Sequence, residues 1–295
     1  MADNITIKDG NTADVVMGAK DLSSVFLPKN ISVNDAGLNT PHYDLVAIAK
    51  GDITGYSIFT GLGERESIQV TASGEDMWRG NELTPAPTSH TMIPTPPAIG
   101  EQMTLVSESN ADNGATATGI LTLRLEYLDA TGAEQTEDIT MNGTTTVNTV
   151  ATNIRFINDM YALTVGSNGV AEGHIKIYAQ SDSGLVYNMI ALGGNKSLVI
   201  NRMVPLGKKC ILVTWDCQEG QNDRCAYRIR STDMNGVLIP GVFCFKDTCY
   251  IKNVASGALP LYVSVPALSI IKISAWADTI NAEGSASYIG VLMPE

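Results

Sequence analysis

Leu121-Thr122-Leu123-Arg124-Leu125-Glu126-Tyr127 alternates apolar and polar side chains without a break. In an extended chain successive side chains point to opposite faces. The run therefore lays Leu121, Leu123, Leu125 and Tyr127 on a core and turns Thr122, Arg124 and Glu126 to solvent. Asn-Gly pairs punctuate the chain on either side of it, at Asn113-Gly114, Asn142-Gly143, Asn168-Gly169 and Asn235-Gly236. Asn and Gly tolerate the positive φ that tight hairpin turns require. The chain reads as all-β, built from antiparallel hairpins.

Tandem β-sandwich or jelly-roll-like domains with an N-terminal arm are expected. Residues 101–183 form the first sandwich. Within it Val150, Ile154, Ile157 and Tyr161 have helical spacing, but the Thr and Asn content disfavours a helix, and a strand over Ile154–Val165 is the preferred reading. Ile175 and Ile177 mark a closing strand. Residues 195–295 form the second sandwich, with strands near Leu198–Met203, Cys210–Trp215, Ala226–Arg230, Val242–Phe245, Leu261–Val265, Ile270–Trp276 and Ser287–Leu292. Residues 36–100 read as an extended region of short strands, ending in a linker that holds Pro85, Pro87, Pro94, Pro96 and Pro97. Residues 1–35 read as an arm, where Ile5 and Ile7 alternate up to an Asp9-Gly10 turn.

The 295 residues suit about two domains, and 44% apolar residues suffice for buried cores. The N-terminus shows no basic-then-apolar secretory pattern. No apolar run approaches the ~18 residues of a membrane span. A net charge of −12 argues against a nucleic-acid surface. The charge is uneven: residues 1–195 carry −14, residues 196–252 carry +4 and residues 253–295 carry −2. Arg228 and Arg230 share one strand face, opposite Cys225, Tyr227 and Ile229. They are the candidate subunit-interface residues, facing an acidic neighbour, with a solvated face as the plainer reading.

Cys210, Cys217, Cys225, Cys244 and Cys249 lack the close pairs of a zinc site, so reduced thiols serving as small apolar residues are expected. No metal and no cofactor are expected. His42, His90 and His174 lack motifs and read as surface residues. Gly74-Glu75-Asp76-Met77-Trp78-Arg79-Gly80 could contact a glycan through Trp78, Glu75 and Arg79. Adjacent carboxylates on a strand point apart, however, which spoils a glycosidase pair. The plainer reading of the stretch is a structural corner with Trp78 buried and Arg79 paired. Glu134, Glu137 and Asp138 lack calcium-loop spacing. Gly193-Gly194-Asn195-Lys196 lacks the outer positions of a phosphate loop.

Two stretches read as familiar units. The first runs through Gly74–Gly80, Ile93–Pro97, Glu101–Asn110, Leu121–Asp129, Glu134–Gly143 and Thr164–Gly169. The second runs through Val204–Lys208, Arg228–Arg230, Gly241–Asp247 and Ser285–Leu292. Over roughly residues 74–295 the chain resembles a family of virion-associated proteins of tailed bacteriophages, including short-tailed phages of cyanobacteria and other marine hosts. The resemblance implies β-sandwich modules in series and a structural role in the virion, with assembly in the host cytoplasm. It implies no catalytic or metal residues. Expected partners are further copies of the chain, as a trimer or ring, and phage capsid or tail proteins, with neither nucleic acid nor membrane. The alternative is a receptor- or glycan-binding adhesin of the same particle, using Trp78 or Trp215, Tyr227, Tyr250 and Trp276.

Overall fold

The computed structural model describes residues 5–8, 14–17, 45–70, 74–114, 117–220, 223–232, 242–252, 257–279 and 281–295. The chain divides into two compact units, Met1–Leu45 and Val46–Glu295. In the first, β1 (Ile5–Lys8) pairs antiparallel with β2 (Asp14–Met17), setting Ile5 opposite Met17 and Ile7 opposite Val15. Within the segment read as an arm, the first strand thus has a partner. The Asp9-Gly10 turn and the remainder of the arm lie outside the described residues.

The second unit opens near a short helix, α1 (Leu45–Ala49), followed by β3 (Ser57–Ile68), β4 (Glu75–Asp76), β5 (Met103–Ser107), β6 (Ile120–Asp129) and β7 (Glu134–Thr140). Next come β8 (Val147–Asn148), β9 (Ile154–Val165), β10 (Ile175–Ala179), β11 (Asp182–Ile190), β12 (Arg202–Met203) and β13 (Lys208–Glu219). The last are β14 (Arg224–Ser231), β15 (Cys244–Lys252), β16 (Leu259–Val265), β17 (Ile270–Ala277) and β18 (Ala282–Pro294).

One sandwich packs the sheet β11-β10-β5-β8 against β7-β6-β9. Its core holds Met103, Leu105, Leu123, Leu125, Ile157, Met160, Ile175 and Ile177. Large side chains buried this way each contribute roughly 1.5–3 kcal/mol. Leu123, Leu125 and Tyr127 face inward as the alternation predicts. Leu121 is only half-buried, because a register shift between Ile120 and Thr122 brings Ile120 to the core instead. β9 runs over the expected residues, pairing with β6. Its helix-like spacing comes from register shifts along that pairing, and Val150 lies outside the strand, exposed.

The other sandwich packs β16-β13-β18-β3 against β12-β17-β14-β15, with β4 hydrogen-bonded to β17. Its core includes Phe59, Ile68, Met77, Leu212, Trp215, Tyr227, Ile229, Ile273 and Tyr288. β3 and β4 precede the first sandwich in sequence and β12–β18 follow it, so the first sandwich is inserted into the second. This corrects two boundaries: residues 36–100 are not merely extended, and 195–295 do not make their sandwich alone. β3 escapes a hydrophobic-pattern reading because its inward positions include Gly61 and Gly63. A Cβ on Gly61 would lie 2.3 Å from the Tyr288 ring, and one on Gly63 2.3 Å from the Met77 carbonyl oxygen. Neighbouring side chains fill the space that β3 leaves.

The Asn-Gly turns also differ from expectation. Gly143 and Gly169 do adopt positive φ. Yet β7 and β8, which flank Gly143, lie in opposite sheets, as do β9 and β10 around Gly169. These pairs turn crossovers, not tight hairpins. Asn235-Gly236 lies outside the described residues. A tight hairpin joins β6 to β7 instead, with Gly132 at positive φ and the Thr131 and Ala133 amides donating to Asp129 Oδ1.

The two sandwiches are clamped together. Trp78, Leu83 and Ile93, from the segment around the prolines, pack on Tyr178, Val186, Met189 and Val199. Leu128 and Phe156 pack on Met203 and Ile270. The Asn158 amide donates to the Met203 carbonyl at 3.0 Å and accepts from the Met203 N–H at 2.8 Å.

Candidate functional site

The sheet face formed by β15, β14 and β17, with the charges beneath it, is the richest chemistry among the described residues. Alternation on β14 sends Cys225, Tyr227 and Ile229 into the core, as expected. Arg224, Arg228 and Arg230 therefore point outward. Register sets Arg224 opposite Lys252, Ala226 opposite Tyr250, and Arg228 opposite Ser274 on the other side.

Under this face lies a buried ion cluster. Adjacent carboxylates on β4 diverge, as strand geometry requires. Glu75 takes the Arg65 guanidinium in a bidentate pair, at 3.1 and 3.0 Å. Asp76 lies 2.9 Å from the Lys272 ammonium, accepts from the Ser274 hydroxyl at 2.8 Å and sits 3.7 Å from Arg230. Asp76 also accepts the Ile93 amide at 3.0 Å, and Arg65 donates to the His90 carbonyl at 2.8 Å. The cluster thereby ties β3, β4, β14 and β17 to the proline-rich segment. Burial pulls the Lys272, Arg65 and Arg230 pKa values below their ordinary range, and the carboxylates partly oppose the shift. Arg230 Nε has no hydrogen-bond partner.

Above the cluster, aromatic rings bracket the cations. The Arg228 guanidinium lies 4.4 Å from the Trp276 ring centre and 4.7 Å from that of Phe245. Lys272 lies 4.0 Å from Phe243, and Arg224 lies 5.8 Å from Tyr250. Cations over ring faces are attracted by the ring quadrupole. Trp276 also covers Gly74, where a Cβ would sit 2.4 Å from the indole.

The proposed glycan contacts Trp78, Glu75 and Arg79 do not form a sugar-binding surface. Trp78 and Glu75 are fully buried, and Arg79 pairs with Glu66 and, at 2.6 Å, with Glu82. The stretch is the structural corner. Of the adhesin's other aromatics, Trp215 and Tyr227 are buried, while Tyr250 and part of Trp276 reach the surface. The interface pair is split. Arg228 is half-exposed, but Arg230 is buried and committed to Ser274 and Asp76. Both arginines lie on one sheet face, opposite Ser274 and Lys272, and Arg230 is buried there between Phe243, Trp276 and Asp76.

The acids near β7 act separately. Glu134 pairs with Lys208, Glu137 accepts the Val150 and Ala151 amides, and Asp138 pairs with Arg124. Among the described residues no group of three His, Cys, Asp or Glu is placed to hold a metal ion. A cleft of about 480 Å³ separates β3 from β6 and β9. Its acids are also engaged: Glu126 accepts the Tyr161 hydroxyl and Asp159 pairs with Lys196. His174 is half-buried, 3.9 Å from Glu82, and accepts the Leu192 amide. His90 is exposed, and His42 lies outside the described residues. Cys210, Cys217 and Cys225 are buried, while Cys244 and Cys249 are half-exposed.

Arg65, Lys272 and Phe245 are the members of this site that sequence reasoning missed. A usable signal was the lone Lys272 inside the apolar run Ile270–Ala277, since a lysine there needs a buried partner. Among the described residues no helix is long and apolar enough to cross a membrane.

No family model and no curated protein matches the chain. Two solved structures show a remote likeness. One is the structure of infectious bursal disease virus Gt strain, at 9% identity and TM-score 0.22, covering 81% of this chain and 72% of that one. The other is the crystal structure of the infectious bursal disease virus VP2 subviral particle, at 9% identity and TM-score 0.18, with the same coverage. Likenesses this remote carry no argument about fold or function.

Proposed function

We propose that the chain is a structural component of a virus particle, acting by binding and not by catalysis. In its finer form it is a homo-oligomeric accessory protein of a tailed-bacteriophage virion, bound to the capsid or to the head–tail or tail region. The observation that carries the reading is the division of labour among its polar groups. The paired carboxylates and their cations are buried as a clamp, and solvent meets a sheet face of cations and aromatics. A face of this composition suits protein contacts, where Arg and aromatic residues are enriched. The resemblance carried by Gly74–Gly80 and Ser285–Leu292 points to the particle.

The test is incorporation. Tagged protein is expressed during infection, and purified particles are quantified by mass spectrometry. A fixed copy number per particle is expected, lost on deletion of residues 1–35 while the remaining chain keeps its thermal transition. Absence from particles overturns the reading. The adhesin reading keeps Tyr250 and Trp276 as its surface aromatics, and Tyr250→Ala abolishing binding on a glycan array would favour it.

A further inference from the structure

We propose that the outer face of the β15–β14–β17 sheet docks, head to tail, on the outer face of the β3–β18–β13 sheet of a second copy of this chain. The inference rests on the homo-oligomeric reading above and names its contact.

The first face is cationic and aromatic. It presents Arg224, Arg228 and Lys252, with Phe245 at 55% and Tyr250 at 61% exposure. The carboxylate beside Arg224 is Asp278, 3.8 Å away at the margin. The cluster beneath adds to the positive field, because Arg65, Arg230 and Lys272 outnumber Glu75 and Asp76. Arg230 is only 8% exposed, and its Nε still lacks an acceptor. A face with surplus buried cation attracts carboxylates.

The second face is acidic and aliphatic. With Gly61, Gly63 and Tyr288 turned to the core, Leu62 and Ile289 point outward, at 45% and 40% exposure. Register places them on neighbouring strands, Leu62 opposite Ser287 and Thr60 opposite Ile289. Glu64, Glu66 and Glu283 follow on the same face, around a shallow depression of about 360 Å³. Among the described residues no cation lies within ion-pair distance of Glu64 or Glu283. The two faces therefore match twice, apolar to apolar and basic to acidic.

They also lie on opposite sides of one sandwich, so no copy can satisfy its own pair. Such a heterologous contact repeats and closes a ring when the rotation allows. Exposed ion pairs add little affinity, so Leu62, Ile289, Phe245 and Tyr250 supply the attraction and the charges set the register. A free acidic polysaccharide would satisfy the cations but leave Leu62 and Ile289 uncovered.

The test is sedimentation velocity on the full chain and two variants, each checked for an unchanged thermal transition. The first variant, Arg224→Glu with Lys252→Glu, alters exposed residues of the basic face. The second, Glu64→Lys with Glu283→Lys, alters the acidic face. Each variant alone is expected to self-associate at least roughly 10-fold more weakly, a loss of about 1.4 kcal/mol. An equimolar mixture is expected to recover association, since the intact acidic face of one variant meets the intact basic face of the other and the two reversed faces again carry opposite charges. Wild-type association that both variants preserve overturns this contact and leaves the oligomer standing. A monomeric wild type overturns both. Binding of alginate by the wild type but not by the first variant, without self-association, reassigns the basic face to a glycan.

Discussion

The Lys272 ammonium lies 2.9 Å from the Asp76 carboxylate, with both side chains withdrawn from solvent. The pair joins strands on either side of the inserted sandwich. It makes closure of the outer sandwich depend on both flanks of the insertion.

Removing one partner of a buried pair leaves an uncompensated charge, which costs about 3–5 kcal/mol. Asp76→Asn should lose that much in urea unfolding, because it strands Lys272 and Arg230 together. Lys272→Met should cost less, since Asp76 keeps Ser274, Ile93 and Arg230. Equal losses would show that the cations are not coupled through Asp76.

Lys272 also gives a pH signature. Burial lowers its folded-state pKa below 10.5. Between the folded and unfolded values the unfolded chain binds more protons, so the contribution of this group to stability rises with pH. The stability of the wild type relative to Lys272→Met should therefore increase as pH climbs toward 10.5. Unfolding curves at several alkaline pH values check this, and a falling difference would reverse the assignment.

Asp112 is a second buried carboxylate, and it fixes one end of the inserted sandwich. Its oxygens accept the Ile120, Glu172 and Gly173 amides and the Ser107 hydroxyl, at 2.6–3.1 Å. Hydrogen bonds to charged groups each contribute about 1.5–3 kcal/mol. Asp112→Ala should destabilise by at least about that much. It should also speed hydrogen exchange at Ile120 and Gly173 before it affects β13 or β18.

Gly63→Ala would set a methyl group against the Met77 carbonyl and Ile200. Overpacking of this kind costs about 1–3 kcal/mol. The melting temperature should fall, and a neutral result would mean that β3 can lift from Met77 without loss.

Thiol labelling reads the core directly. Burial pushes the Cys210 thiol up to about 12 and the Cys225 thiol up to about 11. Thiolate is the reactive form. Native protein at pH 8 should label at Cys244 and Cys249 first, and at all five cysteines only after unfolding. Rapid native labelling of Cys210 would contradict the packed core.

The sequence by itself determined the fold class and much of the local structure. Alternation at Leu123, Leu125 and Tyr127 and at Cys225, Tyr227 and Ile229 fixed which faces are buried, because side-chain direction follows from extended backbone alone. Composition, with Thr and Asn poor in a helix, placed β9 over Ile154–Val165 against a helix-like spacing. Tertiary structure decided what no local pattern encodes. β3 pairs with β18 through glycines that leave room for Tyr288 and Met77. Glu75 and Asp76 became a clamp, and Arg230 was buried on the sheet face where Arg228 stayed half-exposed. These outcomes depend on partners distant in the chain: Ser274 lies 198 positions from Asp76, and β18 follows the whole insertion after β3. A charged side chain declares itself buried or exposed only when such a partner arrives to offset its desolvation.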